Sequence, residues 1–440
     1  MSSFHRHRSV ASIAFFVSAC SSPPIAEISV VEIESELTAR AAATAATRRS
    51  ADPWDGWSAC LETSAPTILA ARHRLAAVTA RARAAGRAPV MVEGEQVGFG
   101  ADRTTELMAA FDLARLVGSG RGAAEQARAE LVVEAAAAEL AAARFHTQHD
   151  LERALARLAV ARTLATDLEA FTTSLAPAER RAALLDQRGW LAPDDLAATR
   201  LKQHHLAAHL AEQSSAVAAA RAELAAVSGL PGDSAWLDDP EATGLLTIER
   251  HADGRLEPDA SQPPEPAALL ATHPDLARDR IALLAAEADV RLAAAERWPA
   301  LLIGPKASLT PDDLLWGGVL RLELPWPSAA DAELDAARAE RDGERAQLVA
   351  AFTRACNAVV AQRAAADAAD RVRRTHGESL LADSEITLRA AQARFMADPA
   401  ALRDWTMAIE ARHEALVAHA DALERWLVTL FDASEAEGRS

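Results

Sequence analysis

Three histidines on one predicted helix are the residues whose spacing best suits metal chemistry. His205 and His209 are four residues apart, so their side chains lie one turn apart on the same face, beside His204. The sequence around them has neither the glutamate order of zinc proteases nor a third ligand in reach. An exposed polar helix face is the favoured interpretation. No metal site, catalytic group or cofactor is predicted, and the chain is not expected to be an enzyme.

Other groups with chemical potential also have simpler structural interpretations. The glycines of residues 118–122 suggest a phosphate cradle, but the Lys-Ser/Thr end of a P-loop is missing, which favours a hinge. Asp367 and Asp370 are candidates to line a tunnel, although the sequence does not show which helix face points inward. Cys60 and Cys356 either pair in an oxidising compartment or, as we favour, are separate small buried residues.

The N-terminus has the pattern of a secretory signal. Met1–Arg8 is basic, Val10–Ala19 is a short apolar run, and small residues precede Cys20. The string Val-Ser-Ala-Cys resembles the bacterial lipobox, in which the cysteine sulfur is acylated and the chain is cut before it. The residue after Cys20 is Ser21. An aspartate at that position would resemble an inner-membrane retention signal, so its absence leads us to expect an outer-membrane location. The alternative is a chance cysteine at an ordinary cleavage site.

Composition favours long helices and argues against nucleic-acid binding. Lys and Arg number 46 against 63 Asp and Glu, giving a net charge of -17, whereas phosphate binding needs clustered cations. Aromatic residues make up 4%, tyrosine is absent, and Ala, Leu, Glu and Arg dominate. The apolar runs are shorter than the roughly 18 residues that a membrane-spanning helix needs.

Two stretches break the helical pattern with apolar residues at every second position. Residues 300–326 predict two strands joined by a turn at Thr310–Asp313, and Pro305 weakens them. Residues 90–99 and 105–116 predict another pair, joined by a turn at 101–103 and weakened by two glutamates. Each strand pair is followed by a long helix, a turn and a returning helix.

The arrangement of helix, strand pair, long helix, turn and returning helix occurs twice. Landmarks match at nearly equal offsets: Arg87-Ala88-Pro89 with Arg297-Trp298-Pro299 (297 minus 87 is 210), Leu113 with Leu322 (209) and Leu196 with Leu402 (206). Predicted helices cover residues 66–85, 123–175, 194–227, 273–292 and 331–374, and one follows Pro399. Predicted interruptions lie at the loop 52–57, near Pro177, at 188–193, at 376–377 and at 397–399.

These boundaries divide the chain into six segments. They are a lipoprotein signal peptide 1–19, an N-terminal anchor segment 20–65, a first helix-hairpin-helix repeat 66–228, a linker or equatorial segment 229–265, a second repeat 266–432 and a tail 433–440.

Two strand pairs leave two open sheet edges, and backbone groups at such edges have no partners in lipid. Closure of the sheet therefore requires further copies of the chain.

The order of these elements is similar to that of a known family. The strings HPDLARDRIALLAAEADVRLAAAERWPALLIG, WGGVLRLELPWP, RGWLAPDDLAATR and ARFMADPAALRDW resemble the TolC family of outer-membrane efflux proteins. The resemblance covers nearly the whole mature chain and lies in the repeat order more than in any invariant motif. It implies a mainly α fold with a small β part, built as a tandem repeat of long antiparallel helices and β-hairpins. It also implies a homotrimer with an α-helical barrel and a 12-stranded β-barrel shared by three chains.

The same resemblance implies a passive outer-membrane conduit, lipid-anchored at Cys20, with a periplasmic helical portion. Its partners would be a periplasmic adaptor and an inner-membrane pump of the resistance-nodulation-division type. The alternative is a periplasmic coiled-coil lipoprotein with a scaffold role and no pore. Because tyrosine is absent and the strands are weak, two alternatives stay open: a rudimentary barrel, or no barrel, with the acyl chain as the attachment.

The resemblance places adaptor docking at the two helical turns. The matching residues are Arg188, Gly189, Trp190, Leu191, Asp194 and Leu196 in the first turn and Arg394, Phe395, Asp398 and Leu402 in the second. The second turn lacks the family's glycine. Ordinary helix capping, with Asp194 as an N-terminal acceptor and Gly189 as a left-handed stop, explains the same residues equally well.

Overall fold

The structure is a computed structural model with a bundle of long helices and one four-stranded sheet. It describes residues 53–83, 85, 91–97, 104–112, 120–245, 248–250, 266–310, 313–323 and 326–439, with the isolated residues 35 and 39. The elements are α1 (Pro53–Ser64), α2 (Pro66–Ala82), β1 (Met91–Val97), β2 (Thr104–Asp112), α3 (Arg121–Gln187), α4 (Pro193–Ser228), α5 (Pro240–Thr243), α6 (Pro266–Thr272), α7 (Pro274–Glu296), β3 (Ala300–Leu309), β4 (Leu314–Glu323), α8 (Pro327–Arg374), α9 (Leu381–Ala397) and α10 (Leu402–Ala436). A π-helical turn at Thr375–Leu380 joins α8 to α9.

The helix α3 is longer than the sequence predicts. It has 67 residues and continues through Pro177, where a break was expected. At 1.5 Å per residue it is about 100 Å long. Proline removes one helical hydrogen bond, but Leu175 and Ala178 on either side of Pro177 are completely buried. Packing on both sides of the proline holds the helix together.

Two further interruptions expected from the sequence are also wrong. The segment at residues 376–377 remains helical, because the π turn carries α8 into α9 without reversing the chain. The predicted loop at 52–57 includes the start of α1. There Trp57 is completely buried against Trp236, with ring centroids 4.5 Å apart. Tertiary packing of the aromatic rings supports a helix that the Pro and Gly content argued against.

The main core follows α3, which packs against α2, α4, α7 and α10. Cys60 is buried in this core, whereas Cys356 packs against a separate small cluster of Leu269, Leu276 and Val359. The two cysteines do not form a disulfide with one another, in agreement with the interpretation that the sequence analysis favoured. Within the described residues, no helix combines the length and apolar character needed to cross a membrane.

The sheet is antiparallel throughout, with the strand order β1-β2-β3-β4. Pairing of β2 with β3 joins the two hairpins of the repeats into one ribbon. A Cβ at Gly304 would overlap the carbonyl oxygen of Ala109, so this close approach of β2 and β3 requires glycine. The next residue is Pro305, which has no N–H to donate, and the ladder between β2 and β3 is interrupted there.

Both returning helices end in the same way. Gly229 after α4 and Gly438 after α10 have φ of 68° and 70° and are 209 residues apart (438 minus 229). A Cβ on Gly229 would overlap the carbonyl oxygen of Ser64, and one on Gly438 would lie 2.9 Å from the Cα of His273. Ser64 and His273 are also 209 residues apart (273 minus 64). The predicted duplication is therefore visible in equivalent close contacts.

The end of α10 is also held by charged side chains, here called the C-terminal charge cluster: His146, Arg153, Asp275, Asp432 and Glu435. His146 lies 3.0 Å from Asp275 and 2.8 Å from Glu435, and Arg153 contacts Asp432 at 2.7 Å and Glu435. Hydrogen bonds to Asp275 and Glu435 raise the pKa of His146 to about 10. Burial opposes ionisation of Glu435, but hydrogen bonds from His146 and Arg153 outweigh it and lower its pKa to about 2.

Candidate functional site: an apolar sheet and two helical turns

The register of the sheet gathers apolar side chains on one face. Since opposite residues of paired strands share a face, the pairs along β3 and β4 define it: Leu301 with Leu322, Ile303 with Leu320, Ala307 with Trp316 and Leu309 with Leu314. Leu107 and Phe111 of β2 extend the same face through Ala307 and Ile303. The alternation predicted from the sequence is confirmed.

This apolar face is exposed. Leu107, Leu309, Leu314, Trp316, Leu320 and Leu322 are all exposed, and 74% of Trp316 is accessible. In the part of the chain that the structure describes, no helix packs across the sheet. Contiguous exposed apolar residues mark sites of contact with another protein, a membrane or a ligand.

The opposite face of the sheet carries the charged residues of β2, β3 and β4. Lys306 of β3 forms an ion pair of 2.6 Å with Glu106 of β2. Arg321 and Glu323 of β4 alternate with the apolar residues and lie on this side. The two faces of the sheet therefore differ in character, since one is apolar and the other carries charged side chains.

Tryptophans lie at both ends of the β3–β4 hairpin. Trp298 lies two residues before β3 and Trp326 three residues after β4, and both are highly exposed. Trp316 pairs with Ala307, close to the far end of the hairpin. Tryptophan is favoured at membrane–water interfaces, where the ring meets lipid and the N–H meets water.

The first helical turn ends α3 with a glycine in the left-handed region. Gly189 has φ of 69°, the N–H of Trp190 donates to Leu185 O at 3.0 Å, and the N–H of Gly189 donates to Asp186 O at 2.8 Å. These two bonds form a Schellman motif. The motif leaves the Trp190 side chain 63% exposed, with the Arg188 guanidinium 5.4 Å from its ring.

The other first-turn residues lead into α4. Ala192 precedes Pro193 at the first helical position, and no side chain caps this helix end. Asp194 is exposed in the first turn of α4 and makes no cap hydrogen bond, so its expected role as an N-terminal acceptor is not observed. Leu191 and Leu196 are partly buried. Arg188, Trp190 and Asp194 thus form the exposed surface of this turn.

The second turn is built differently. Asp398 accepts a hydrogen bond from the Ala400 N–H at 2.9 Å and caps the short 3₁₀ helix Pro399–Ala401. Phe395 is completely buried and stacks on Trp405 with ring centroids 5.1 Å apart, and Leu402 is also buried. Of the residues predicted to dock an adaptor here, Arg394 and Asp398 are exposed, whereas Phe395 and Leu402 belong to the core.

Both turns lie at the same end of the bundle, and the returning helices contact one another there. Arg181 of α3 donates to Phe395 O at 3.1 Å. Three side-chain contacts join α4 to α10: Thr199 with Thr406 at 2.7 Å, Lys202 with Glu410, and His209 with His413 at 2.7 Å. The sequence analysis missed these pairs. Their separations of 204 to 208 residues, close to the repeat offset, were the signal that could have found them.

The remaining candidates of the sequence analysis do not form a site together. Gly118 and Cys20 lie outside the described residues. Asp367 is exposed, and Asp370 forms ion pairs with Arg373 and Arg374. Among the described residues, no three His, Cys, Asp or Glu side chains are already arranged around a metal position.

The comparison with known proteins rests on structure. No protein-family model and no curated protein matches the chain. The outer membrane channel MtrE of Neisseria gonorrhoeae, in its open state, matches with a TM-score of 0.72 and 15% identity, over 87% of this chain and 88% of that chain. The chain has the fold of an outer-membrane channel.

Two further solved structures agree with this assignment. CusC, studied for its transmembrane channel formation, matches with a TM-score of 0.72 and 16% identity, over 88% of this chain and 92% of that chain. The outer membrane protein VceC of Vibrio cholerae gives 0.67 and 18%, over 88% and 96%. The TolC-like architecture of long helices and a small sheet, expected from the sequence, is confirmed.

Proposed function

We propose that the protein is the outer-membrane channel component of a tripartite efflux system and acts as a passive export conduit. The observation that carries the proposal is the exposed apolar face of an open-edged sheet attached to helices about 100 Å long. A water-soluble scaffold has no use for such a face, since exposed apolar area of this size favours association or lipid.

The dimensions of the sheet suit a bilayer. Trp298 and Ala307, the partner of Trp316, are nine residues apart, which corresponds to about 30 Å along a strand. A strand tilted by about 40° then rises ~23 Å, close to the ≈ 25 Å apolar band of outer-membrane strands. The tryptophans at the two ends of the hairpin would lie at the two interfaces.

The open edges argue for several copies. The outer edges of β1 and β4 have no strand partner within the described residues. Lipid offers no hydrogen bonds to such edges, so β4 of one chain must pair with β1 of the next. Three copies would close twelve strands into one barrel and place three pairs of repeats side by side as a tube. The polar face with Lys306 and Glu106 would line the passage.

The turn end would meet a periplasmic adaptor, which links the tube to an inner-membrane pump. The sequence resemblance implies a pump of the resistance-nodulation-division type. Arg188, Trp190 and Asp194 supply an exposed aromatic ring flanked by both charges. Such rings supply much of the energy of protein interfaces. Trp190→Ala should weaken co-elution with the adaptor, whereas Phe395→Ala should act through folding.

Attachment at the other end would be reinforced by acylation of Cys20 after removal of residues 1–19. A Cys20→Ser variant, expressed in cells fed radiolabelled palmitate, should lose the label and remain attached less firmly. The conduit itself needs no energy source or catalytic group. The pump would supply the energy.

The deciding experiment compares two leucines of β4. Leu320 lies on the apolar face, and Leu315 lies on the opposite face of the same strand. Leu320→Lys is expected to reduce insertion and conductance in planar bilayers, because lysine near the bilayer centre costs about 2–4 kcal/mol. Leu315→Lys should still give trimers in detergent and conducting channels.

A monomer that never inserts, or equal tolerance of both lysines, would contradict the channel. Those results would instead support the periplasmic scaffold lipoprotein.

A further inference from the structure

We propose that His209 of α4 and His413 of α10, joined by His205, form a binding site for a borderline divalent transition-metal ion such as Zn²⁺, Ni²⁺ or Cu²⁺. The site would lie between the returning helices of the two repeats, on the turn side of the bundle. It is independent of the proposed channel role, because it rests on the helix pairing alone.

The ring nitrogens of two histidines already face one another. Nδ1 of His209 is 2.7 Å from Nε2 of His413, with ring centroids 4.9 Å apart and ring planes at 70°. Two nitrogens bound tetrahedrally to zinc at about 2.0–2.1 Å are ~3.3 Å apart, so the rings need to separate by only ~0.6 Å. The helix spacing is therefore close to the one that a shared ion requires.

A third imidazole is available on the same helix face. His205 lies one turn before His209 on α4, and it is close enough to His413 to lower the pKa of that ring. The three rings are not preassembled around one point. His205 is exposed, however, and can change rotamer without displacing packed neighbours. The sequence alone indicated His205 and His209 as candidate ligands, with no third ligand nearby. In the folded chain His413, which is 204 residues from His209 in sequence, lies beside them.

Burial lowers the pKa of His413, and the neighbouring His209, His205 and Lys202 lower it further, while Glu410 opposes them. A lower pKa reduces the competition of protons with a metal ion for the ring nitrogen of His413. Lys202 contacts Glu410, and this pairing offsets the repulsion that a lone lysine would exert on a cation.

A second-shell partner is also in place. Gln213 Nε2 is 3.1 Å from His209 Nε2. When Nδ1 of His209 binds a metal, its proton moves to Nε2, and a flip of the Gln213 amide presents an oxygen to accept it. The same amide thus supports the metal-free pair and the metal-bound pair.

The test is a titration of the processed full-length chain in detergent, freed of metals, with ZnCl₂ by calorimetry and with CuCl₂ by electron paramagnetic resonance. Loss of an outer partner of a metal site already lowers affinity by about 10–100-fold, so His413→Ala and His413→Gln should lower it at least as much. His205→Ala should remove one nitrogen from the copper spectrum. His204→Ala, an exposed histidine beside the site, is the matched control and should bind as wild type does.

His413→Gln retains a polar side chain between the helices and separates loss of the ligand from loss of the fold. Zinc should raise the melting temperature of wild type and of His204→Ala, because a ligand bound only by the folded state stabilises it, and should leave that of His413→Gln unchanged. The proposal is overturned if wild type shows no saturable binding. It is also overturned if His413→Gln binds as tightly as wild type, which would place the ion on the exposed face of α4 alone.

Discussion

The two copies of the repeat end their returning helices in the same way, but they reverse the chain at their turns in different ways. After α4 and α10, Gly229 and Gly438 adopt the same left-handed conformation and touch equivalent segments. At the turns, the first copy uses the left-handed Gly189 and the second uses the side chain of Asp398. At least two different local sequences can therefore reverse the chain between two long helices.

The two solutions leave the aromatic residue in opposite environments. The Schellman motif at Gly189 directs Trp190 outward, where Arg188 covers one face of its ring. In the second turn Phe395 lies one residue after Arg394, still inside α9, and stacks on Trp405 in the core. One turn thus leaves its aromatic ring exposed, and the other uses its ring to hold α9 against α10.

The largest expected effect separates these aromatic residues. Phe395→Ala should lower the free energy of unfolding by about 3–5 kcal/mol, because it removes a completely buried ring and leaves a cavity beside Trp405. Trp190→Ala should change stability by less than about 0.5 kcal/mol, since an exposed side chain loses little packing. Denaturant unfolding followed by circular dichroism measures both.

Phe395→Leu is the control for the size of the cavity and should fall between wild type and the alanine variant. Equal destabilisation by Phe395→Ala and Trp190→Ala would show that the two turns bury their rings alike, contrary to the structure.

The next largest effect tests the left-handed glycines that end both returning helices. Gly229→Ala should cost about 3 kcal/mol, because the left-handed conformation disfavours a Cβ and the new methyl overlaps the backbone of Ser64. Gly438→Ala should cost less, about 1–2 kcal/mol, since its nearest neighbour is 2.9 Å away. Thermal unfolding of the two variants ranks them.

Gly343→Ala is the matched control in α8, where a Cβ meets nothing within 4 Å. It should stabilise the chain by about 0.5–1 kcal/mol through helix propensity. A neutral Gly229→Ala would show that α4 does not approach Ser64 as closely as described.

Periodicity and the repeat offset predicted much of this fold. The strand pairs, the turns and the returning helices lie where apolar spacing placed them, because local side-chain pattern sets these elements. The sequence analysis failed at Pro177, at residues 376–377 and in α1. At Pro177 and in α1, burial of neighbouring side chains outweighed the preference of Pro or Gly, and burial depends on distant segments. At residues 376–377 a wider π turn keeps the chain helical.

The candidate site was less predictable. The sequence indicated which residues lie at the turns, but the burial of Phe395 and Leu402 and the exposure of Trp190 follow from how the repeats pack. His413 belongs to a helix 204 residues from His209, and its approach needed the pairing of α4 with α10. The face alternation of β3 and β4 was predictable, because a strand has a period of two.

A smaller effect compares the two turn aspartates. Asp398→Ala should cost about 1 kcal/mol, since it removes the acceptor for the Ala400 N–H. Asp194→Ala should cost only about 0.3–0.5 kcal/mol, because the carboxylate makes no cap hydrogen bond and acts through the helix dipole alone. Urea unfolding at low ionic strength resolves the difference. If both cost the same, the second turn does not depend on side-chain capping.

The smallest effect concerns the ends of the returning helices, where one copy is charged and the other is not. His146 has its pKa raised to about 10 by Asp275 and Glu435, so its stabilising contribution is complete below its unfolded pKa of about 6.5 and is lost as the pH rises through 10. Because His146 is partly exposed, solvent screening should hold this contribution below about 1 kcal/mol. The melting temperature of wild type should therefore fall more between pH 6.5 and 10 than that of His146→Gln.

The first copy supplies the matched control. Ser64 donates to Ser228 O at 2.6 Å at the equivalent position, so Ser64→Ala should lower stability equally at pH 6.5 and at pH 10. Glu435 acts in the opposite range: its pKa is lowered to about 2, and its contribution is complete above pH 4.5 and lost as the pH falls through 2. If His146→Gln keeps the alkaline slope of wild type, a group other than His146 titrates in that range, which would contradict the role given to His146.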